Sequence, residues 1–139
     1  MRPLAALLLA AALLPAAAGA AEPAAAPVPD RLVPTVAPGG TVTARVDLAA
    51  EFPQMKGYVL TQTLTTVAPG TGKPWHSHAG FPEIIRILSG TLTDARNGGP
   101  PTSYGPGSTL VNAGGTQHMW ANLGQEPVIF VATAIRRPQ

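Results

Sequence analysis

Gly70-Thr71-Gly72-Lys73-Pro74-Trp75-His76-Ser77-His78-Ala79-Gly80-Phe81-Pro82-Glu83-Ile84-Ile85-Arg86-Ile87-Leu88-Ser89-Gly90 is the stretch that decides how this chain folds. Residues two apart on extended backbone share a face, so His76 and His78 point into one space. Glu83 follows after a turn made by Ala79-Gly80-Phe81-Pro82. The run that begins at Pro82 is predicted to be a strand through Leu88. Its apolar residues lie on both faces, Ile85 and Ile87 on one and Ile84 and Leu88 on the other. Such a strand is expected to be covered on both sides, by a second sheet or a partner subunit. Arg86 points away from Glu83 and reads as surface or interface.

Working outward, the same two-residue period recurs. Thr41 to Leu48 alternates, with Val42, Ala44, Val46 and Leu48 on one face, which predicts a half-buried strand. Gly57 to Val67 is rich in Thr, Val and Leu and reads as a second strand, ended by Pro69-Gly70. Thr91 to Ala95, Ser108 to Ala113 and Gln117 to Asn122 are further short strands. Pro127 to Arg136 closes the domain with Val128, Phe130, Ala132 and Ala134 on one face. No helical period of useful length follows residue 40. Short strands at this turn spacing indicate an all-β sandwich or barrel.

Composition sets the bounds. The 139 residues favour one domain, and 15 Gly with 16 Pro suit a turn-rich β fold. There is no Cys, which excludes disulfides, thiolate chemistry and Cys-based metal sites. The net charge of +2 is small and its cations are scattered, so nucleic acid is not an expected partner.

The first twenty residues read as a signal peptide. Arg2 gives a positive start, Leu4 to Leu14 is an unbroken Leu/Ala run, and Ala18-Gly19-Ala20 offers small residues for cleavage. A retained anchor is the alternative, but eleven apolar residues before Pro15 are too few to cross a bilayer core of about 30 Å. The expected mature protein is periplasmic or secreted and has no membrane contact. Only one Arg stands in the leader, so export is expected in the unfolded state, with any metal acquired afterwards. Residues 21–40 carry Pro23, Pro27, Pro29, Pro34 and Pro38 and read as a Pro/Ala-rich linker. The compact domain is expected over 41–137.

Imidazole nitrogen and carboxylate oxygen suit Zn, Fe, Mn, Ni and Cu. Both ligand types bind deprotonated, so a site built on them forms fully only above about pH 6. The chain resembles the cupin family at both of that family's signature motifs. The first is Gly, five residues, His-x-His, three or four residues, Glu, six residues, Gly; Gly70, His76, His78, Glu83 and Gly90 match it throughout. The second is Gly, five residues, Pro-x-Gly, two residues, His, three residues, Asn; Gly107, Gly115, His118 and Asn122 match it. Ala113 stands where the family usually has Pro, a turn residue that binds nothing. The resemblance implies a double-stranded β-helix, a small jelly-roll-like barrel. It also implies one divalent transition metal ion (Fe, Mn, Zn, Ni or Cu) held by His76, His78, Glu83 and His118.

Trp120 lies two residues beyond His118 and is expected on the same face, at the wall of a substrate pocket. Phe81 and Tyr104 are further pocket candidates, Trp75 reads as part of an outer apolar cluster, and Asn122 as a backbone brace. Asp94, Asp47, Glu51 and Glu126 show no tie to the pocket, so no catalytic acid or base is named. For a site of three His and one Glu, the resemblance implies a metal-dependent dioxygenase acting on a small phenolic, enol-like or acidic molecule. A non-catalytic metal or small-molecule binding protein is the alternative. The resemblance further implies a homodimer.

Overall fold

The computed structural model describes residues 35–36 and 39–137. The expected signal peptide lies outside them. Among the described residues there are ten strands, two short 3-10 turns and no α-helix. The strands are β1 (Thr35–Val36), β2 (Thr41–Asp47), β3 (Val59–Val67), β4 (Thr71–Ser77), β5 (Glu83–Ser89), β6 (Leu92–Arg96), β7 (Thr102–Tyr104), β8 (Thr109–Asn112), β9 (Gln117–Ala121) and β10 (Val128–Arg136). One sheet runs β1-β4-β9-β6-β7 and the other β2-β3-β10-β5-β8. Every pairing is antiparallel except the short parallel contact of β1 with β4. This is the expected double-stranded β-helix. The segment 21–40, read as linker, contributes Thr35 and Val36 to the first sheet, opposite Thr71 and Gly72.

The core lies between the sheets. β10 supplies Val128, Phe130 and Ala132, and its neighbour β5 supplies Ile85 and Ile87. The other sheet answers with Leu92 and Trp120. Burial of each large aliphatic side chain stabilises the fold by about 1.5–3 kcal/mol. Trp120 and Phe130 meet edge to face across the two sheets, with ring centroids 5.6 Å apart and planes at 86°. That geometry adds about 0.5–1.5 kcal/mol beyond burial.

Two glycines are required by close approach. A Cβ on Gly72 would stand 2.2 Å from the Trp120 carbonyl oxygen, so only glycine lets β4 lie this close to β9. Gly90 combines a φ of +72° with the backbone of Pro127 and Val128, whose nearest atom would be 2.6 Å from an added Cβ.

One expectation is corrected. β2 forms where predicted, but all seven of its residues are exposed, Val42 at 57%. It is an edge strand paired only with β3, and an irregularity between Val42 and Ala44 breaks its alternation. Only Leu48, just past its end, is buried. On β5 the inner face is buried as expected, whereas Ile84 is 51% exposed and Leu88 is similarly open. Among the described residues no second layer covers Ile84, Leu88 or Val111, so cover by a partner subunit stays an expectation. Trp75 is also exposed, at 53%.

Candidate metal centre

Three elements bring three imidazoles together. His76 is on β4, and His78 follows directly after that strand, with its backbone N–H donating to the Thr116 carbonyl at 2.9 Å. His118 is on β9, where it is the direct register partner of His76. Opposed residues in an antiparallel pair project to the same side, so the two rings meet. The Nε2 atoms lie 3.2 Å apart for His76 and His78, 2.9 Å for His78 and His118, and 3.0 Å for His76 and His118.

The far side of each ring fixes its tautomer. His76 Nδ1 donates to the Pro74 carbonyl at 2.8 Å, and His78 Nδ1 to the Phe81 carbonyl at 3.3 Å. His118 Nδ1 donates to Asp94 Oδ1 at 2.6 Å. Because those partners only accept, the protons sit on Nδ1 and the three Nε2 lone pairs face one another. Neutral rings so placed cannot hydrogen-bond among themselves. Burial drives His76 down to about 4, helped by Lys73 and the other two imidazoles and opposed by the hydrogen bond to Pro74. His78 is lowered too, chiefly by burial, with Glu83 opposing.

The donor set fits a transition metal ion. Three nitrogens at right angles around a centre about 2.1 Å away would be about 3.0 Å from one another, against about 3.4 Å for a tetrahedral arrangement. The observed 2.9–3.2 Å matches one face of an octahedron. The triad is therefore placed to bind a metal ion. Glu83 opens β5 beside it, with Oε2 at 3.8 Å from His78 Nε2. Its side chain is 11% exposed and both oxygens are engaged: Arg136 donates to Oε1 at 3.3 Å and Asn112 Nδ2 to Oε2 at 3.3 Å.

Behind the triad runs a buried polar chain that sequence reasoning missed. Asp94, read as having no tie to the site, is fully buried and accepts from both His118 and Arg96. Arg96 also donates to Asn112 Oδ1 at 3.0 Å, and Asn112 in turn reaches Glu83. One hydrogen-bonded path thus links His118 to Glu83 through Asp94, Arg96 and Asn112. Burial alone would raise the Asp94 carboxyl, but the hydrogen bonds from His118 and Arg96 outweigh it and hold the group below its ordinary value. The available signal was the spacing: Asp94 and Arg96 are two apart on one strand, hence on one face.

A cavity of about 410 Å³ lies between the sheets, and Glu83 lines it together with Lys73, Ile85, Trp120, Phe130 and Arg136 among others. Trp120 thus stands at the wall of this cavity. Phe81 does not line the cavity; its ring packs against His78 at 4.5 Å between centroids with the planes tilted by 41°, because it sits in the turn that returns the chain to β5. Tyr104 does not line it either. It pairs opposite Leu92 and packs on the apolar core. Asn122 braces the backbone, donating to the Val67 and Glu126 carbonyls at 2.9 and 2.8 Å.

Among known proteins, the model of the family described as Cupin domain matches residues 63–134. The chain is similar to germin-like protein subfamily 3 member 1 of Arabidopsis thaliana, 29% identical over 89 residues, covering 61% of this chain and 43% of that protein. It is similar to germin-like protein 1 of Brassica napus, 27% identical over 88 residues, covering 60% and 42%. The matches span less than half the length of these curated relatives. In structure the chain is similar to an uncharacterized conserved protein with a double-stranded β-helix domain from Klebsiella pneumoniae subsp. pneumoniae, with a TM-score of 0.54 and 21% identity over 68% of this chain and 69% of that one. The last likeness bears on the fold alone.

Proposed function

The chain belongs to the cupin domain family, and from that premise we propose that it is a metal-dependent oxidoreductase of the dioxygenase type, acting on a small phenolic, enol-like or acidic molecule. One divalent transition metal ion is held by His76, His78 and His118, with Glu83 as fourth ligand. The observation that carries this reading is the set of three Nε2 atoms 2.9–3.2 Å apart, each on a ring whose Nδ1 is committed elsewhere. When bound, such an ion supplies Lewis acidity and, where it is redox-active, one-electron chemistry.

The protein's own residues do the positioning. Pro74, Phe81 and Asp94 fix the three ring orientations through Nδ1. Arg136 and Asn112 hold the Glu83 carboxylate at the cavity wall. Trp120, Phe130 and Ile85 keep water from one side of the bound molecule. A divalent ion against one carboxylate leaves a net charge near +1, which draws anionic or chelating ligands. In the same reading, residues 1–20 direct export to the periplasm or beyond. A second copy covers the open outer face of β5 and β8, where Ile84 and Val111 are exposed register partners.

One observation favours the second reading, a non-catalytic metal or small-molecule binding protein. Glu83 is the carboxylate that lines the cavity, and both its oxygens are already engaged. No spare carboxylate base faces that space among the described residues.

Elemental analysis of protein isolated from its native compartment tests the metal, with His76→Ala alongside. The expected result is one transition metal ion per chain in the native protein and under about a tenth of that in the variant. Oxygen uptake with phenolics and keto acids then separates the readings: consumption supports the enzyme, and tight binding without turnover supports the binder. Native protein free of transition metal overturns the enzyme and the metal-binding form of the alternative.

A further inference from the structure

We infer that the cavity beside the imidazole triad is a binding site for a small unsaturated carboxylate, with Lys73 as the residue that holds the carboxylate. The inference deepens the function proposed above and rests on it for which end of the ligand faces the metal.

The charges in the cavity wall do not balance. Lys73, Glu83 and Arg136 all line it. Arg136 donates to Glu83 Oε1 at 3.3 Å, so those two offset each other. Lys73 forms no ion pair among the described residues. One cation is therefore left without a counter-charge, which calls for one anionic group from outside. The crowding of its ammonium works in the same direction. Desolvation lowers the proton affinity of Lys73, despite Glu83 pulling the other way. An ammonium with part of its hydration displaced and no ion-pair partner is well placed to take an anion. Lys73 keeps an exposed flank, so it stands where a ligand enters.

The remaining wall selects the body of the ligand. Lys73 and Trp120 are register partners across β4 and β9, so the ammonium stem and the indole rise side by side. A carboxylate held by Lys73 lays the atoms next to it along the indole. Phe130, edge-on to Trp120, and Ile85 complete an apolar surface that suits a flat unsaturated group. The volume of about 410 Å³ belongs at the small end of ligand sites, which span roughly 300–1,000 Å³.

Benzoate and benzamide test this, because they share ring and size and differ in charge. Calorimetric titration of the full chain should show benzoate binding at least about tenfold more tightly than benzamide. Lys73→Met should weaken benzoate by about tenfold or more and leave benzamide unchanged, whereas Lys73→Arg should stay within about threefold of the native chain. Circular dichroism confirms that both variants keep the native spectrum. Equal affinity for the two probes, no benzoate binding, or native benzoate affinity in Lys73→Met overturns the inference. Cobalt(II) uptake is measured on the same samples. Lys73-dependent benzoate binding without cobalt uptake keeps this site and removes the metal reading; cobalt uptake without discrimination between the probes does the reverse.

Discussion

Asp94 Oδ1 accepts a hydrogen bond from His118 Nδ1 at 2.6 Å, and both side chains are fully buried. The carboxylate holds the ring in the one tautomer that turns Nε2 toward His76 and His78. It does so while also accepting from Arg96, so its two oxygens serve two donors. The quality of the triad therefore depends on a residue that stands behind its rings.

Asp94→Asn is the sharpest probe of that dependence. The amide has one accepting oxygen where the carboxylate has two, so either His118 or Arg96 meets an N–H instead of an acceptor. Cobalt(II) affinity, read by competition with a fluorescent chelator, is expected to fall about 10–100-fold. The buried mismatch should also cost about 1–3 kcal/mol in denaturant unfolding. Native affinity in a folded Asp94→Asn chain would show that the contact positions nothing.

Metal removal should destabilise the chain. Three lone pairs about 3 Å apart repel one another unless a cation sits between them. At a hundredfold excess of ligand over its dissociation constant, binding contributes about 2.7 kcal/mol. Thermal unfolding of chelator-treated protein should thus begin several degrees lower, and be restored by adding back a divalent transition ion. His118→Ala should show neither the loss nor the recovery.

Acid should weaken the metal-free fold in two steps. His76 has an ordinary value of 6.5 and a folded value of about 4. Between these the unfolded chain binds the extra proton, so stability is full above about pH 6.5 and is lost as the pH falls toward about 4. Asp94 lies below its ordinary value of 3.8 in the fold, so its contribution is present above that pH and is lost on further acidification. Calorimetry of metal-free protein should give a lower melting temperature at pH 4.5 than at pH 7. His76→Phe should shrink the first step, to which the lowered His78 also contributes, and leave the second; an unchanged melting temperature across that interval in the native chain would refute the assignment.

Gly72→Ala should damage the site from a distance. Its Cβ would meet the Trp120 carbonyl oxygen at 2.2 Å and Ala121 Cα at 2.7 Å, both backbone atoms that cannot swing aside. Forcing β4 from β9 separates His76 from His118, its register partner. A destabilisation of about 3 kcal/mol is expected, at the upper end of overpacking costs, with metal affinity falling alongside. Gly114→Ala is the control: nothing lies within 4 Å of the added carbon, and unfolding should shift by under about 0.5 kcal/mol.

The residues that make the triad were legible in the sequence because each belongs to a local pattern. Strand-favouring residues marked the strand of Ile85 and Ile87, and alternation marked the face carrying Val128, Phe130, Ala132 and Ala134, since a two-residue period follows from the pleat alone. The spacing of His76, His78 and Glu83, repeated at a distance by His118, carried the resemblance. What lay behind the rings was not legible. Asp94 meets His118 across 24 residues, and Arg96 meets Asn112 across 16. No local period records which strands become neighbours.

The same limit explains the corrected expectations. Alternation on β2 is real, but an edge strand with a register shift has nothing packed on its inner face, so its apolar residues stay in water. Phe81 and Tyr104 were placed at the pocket by nearness in sequence, whereas turn geometry sends one to the back of His78 and strand pairing sends the other into the core. The sequence by itself determined the strands, their inward faces and three of the proposed ligands, because those follow from backbone period and side-chain chemistry. Only the tertiary structure decided the tautomers, the charge left unmatched at Lys73 and the path from His118 to Glu83. These depend on distances across strands that pair far apart in the chain.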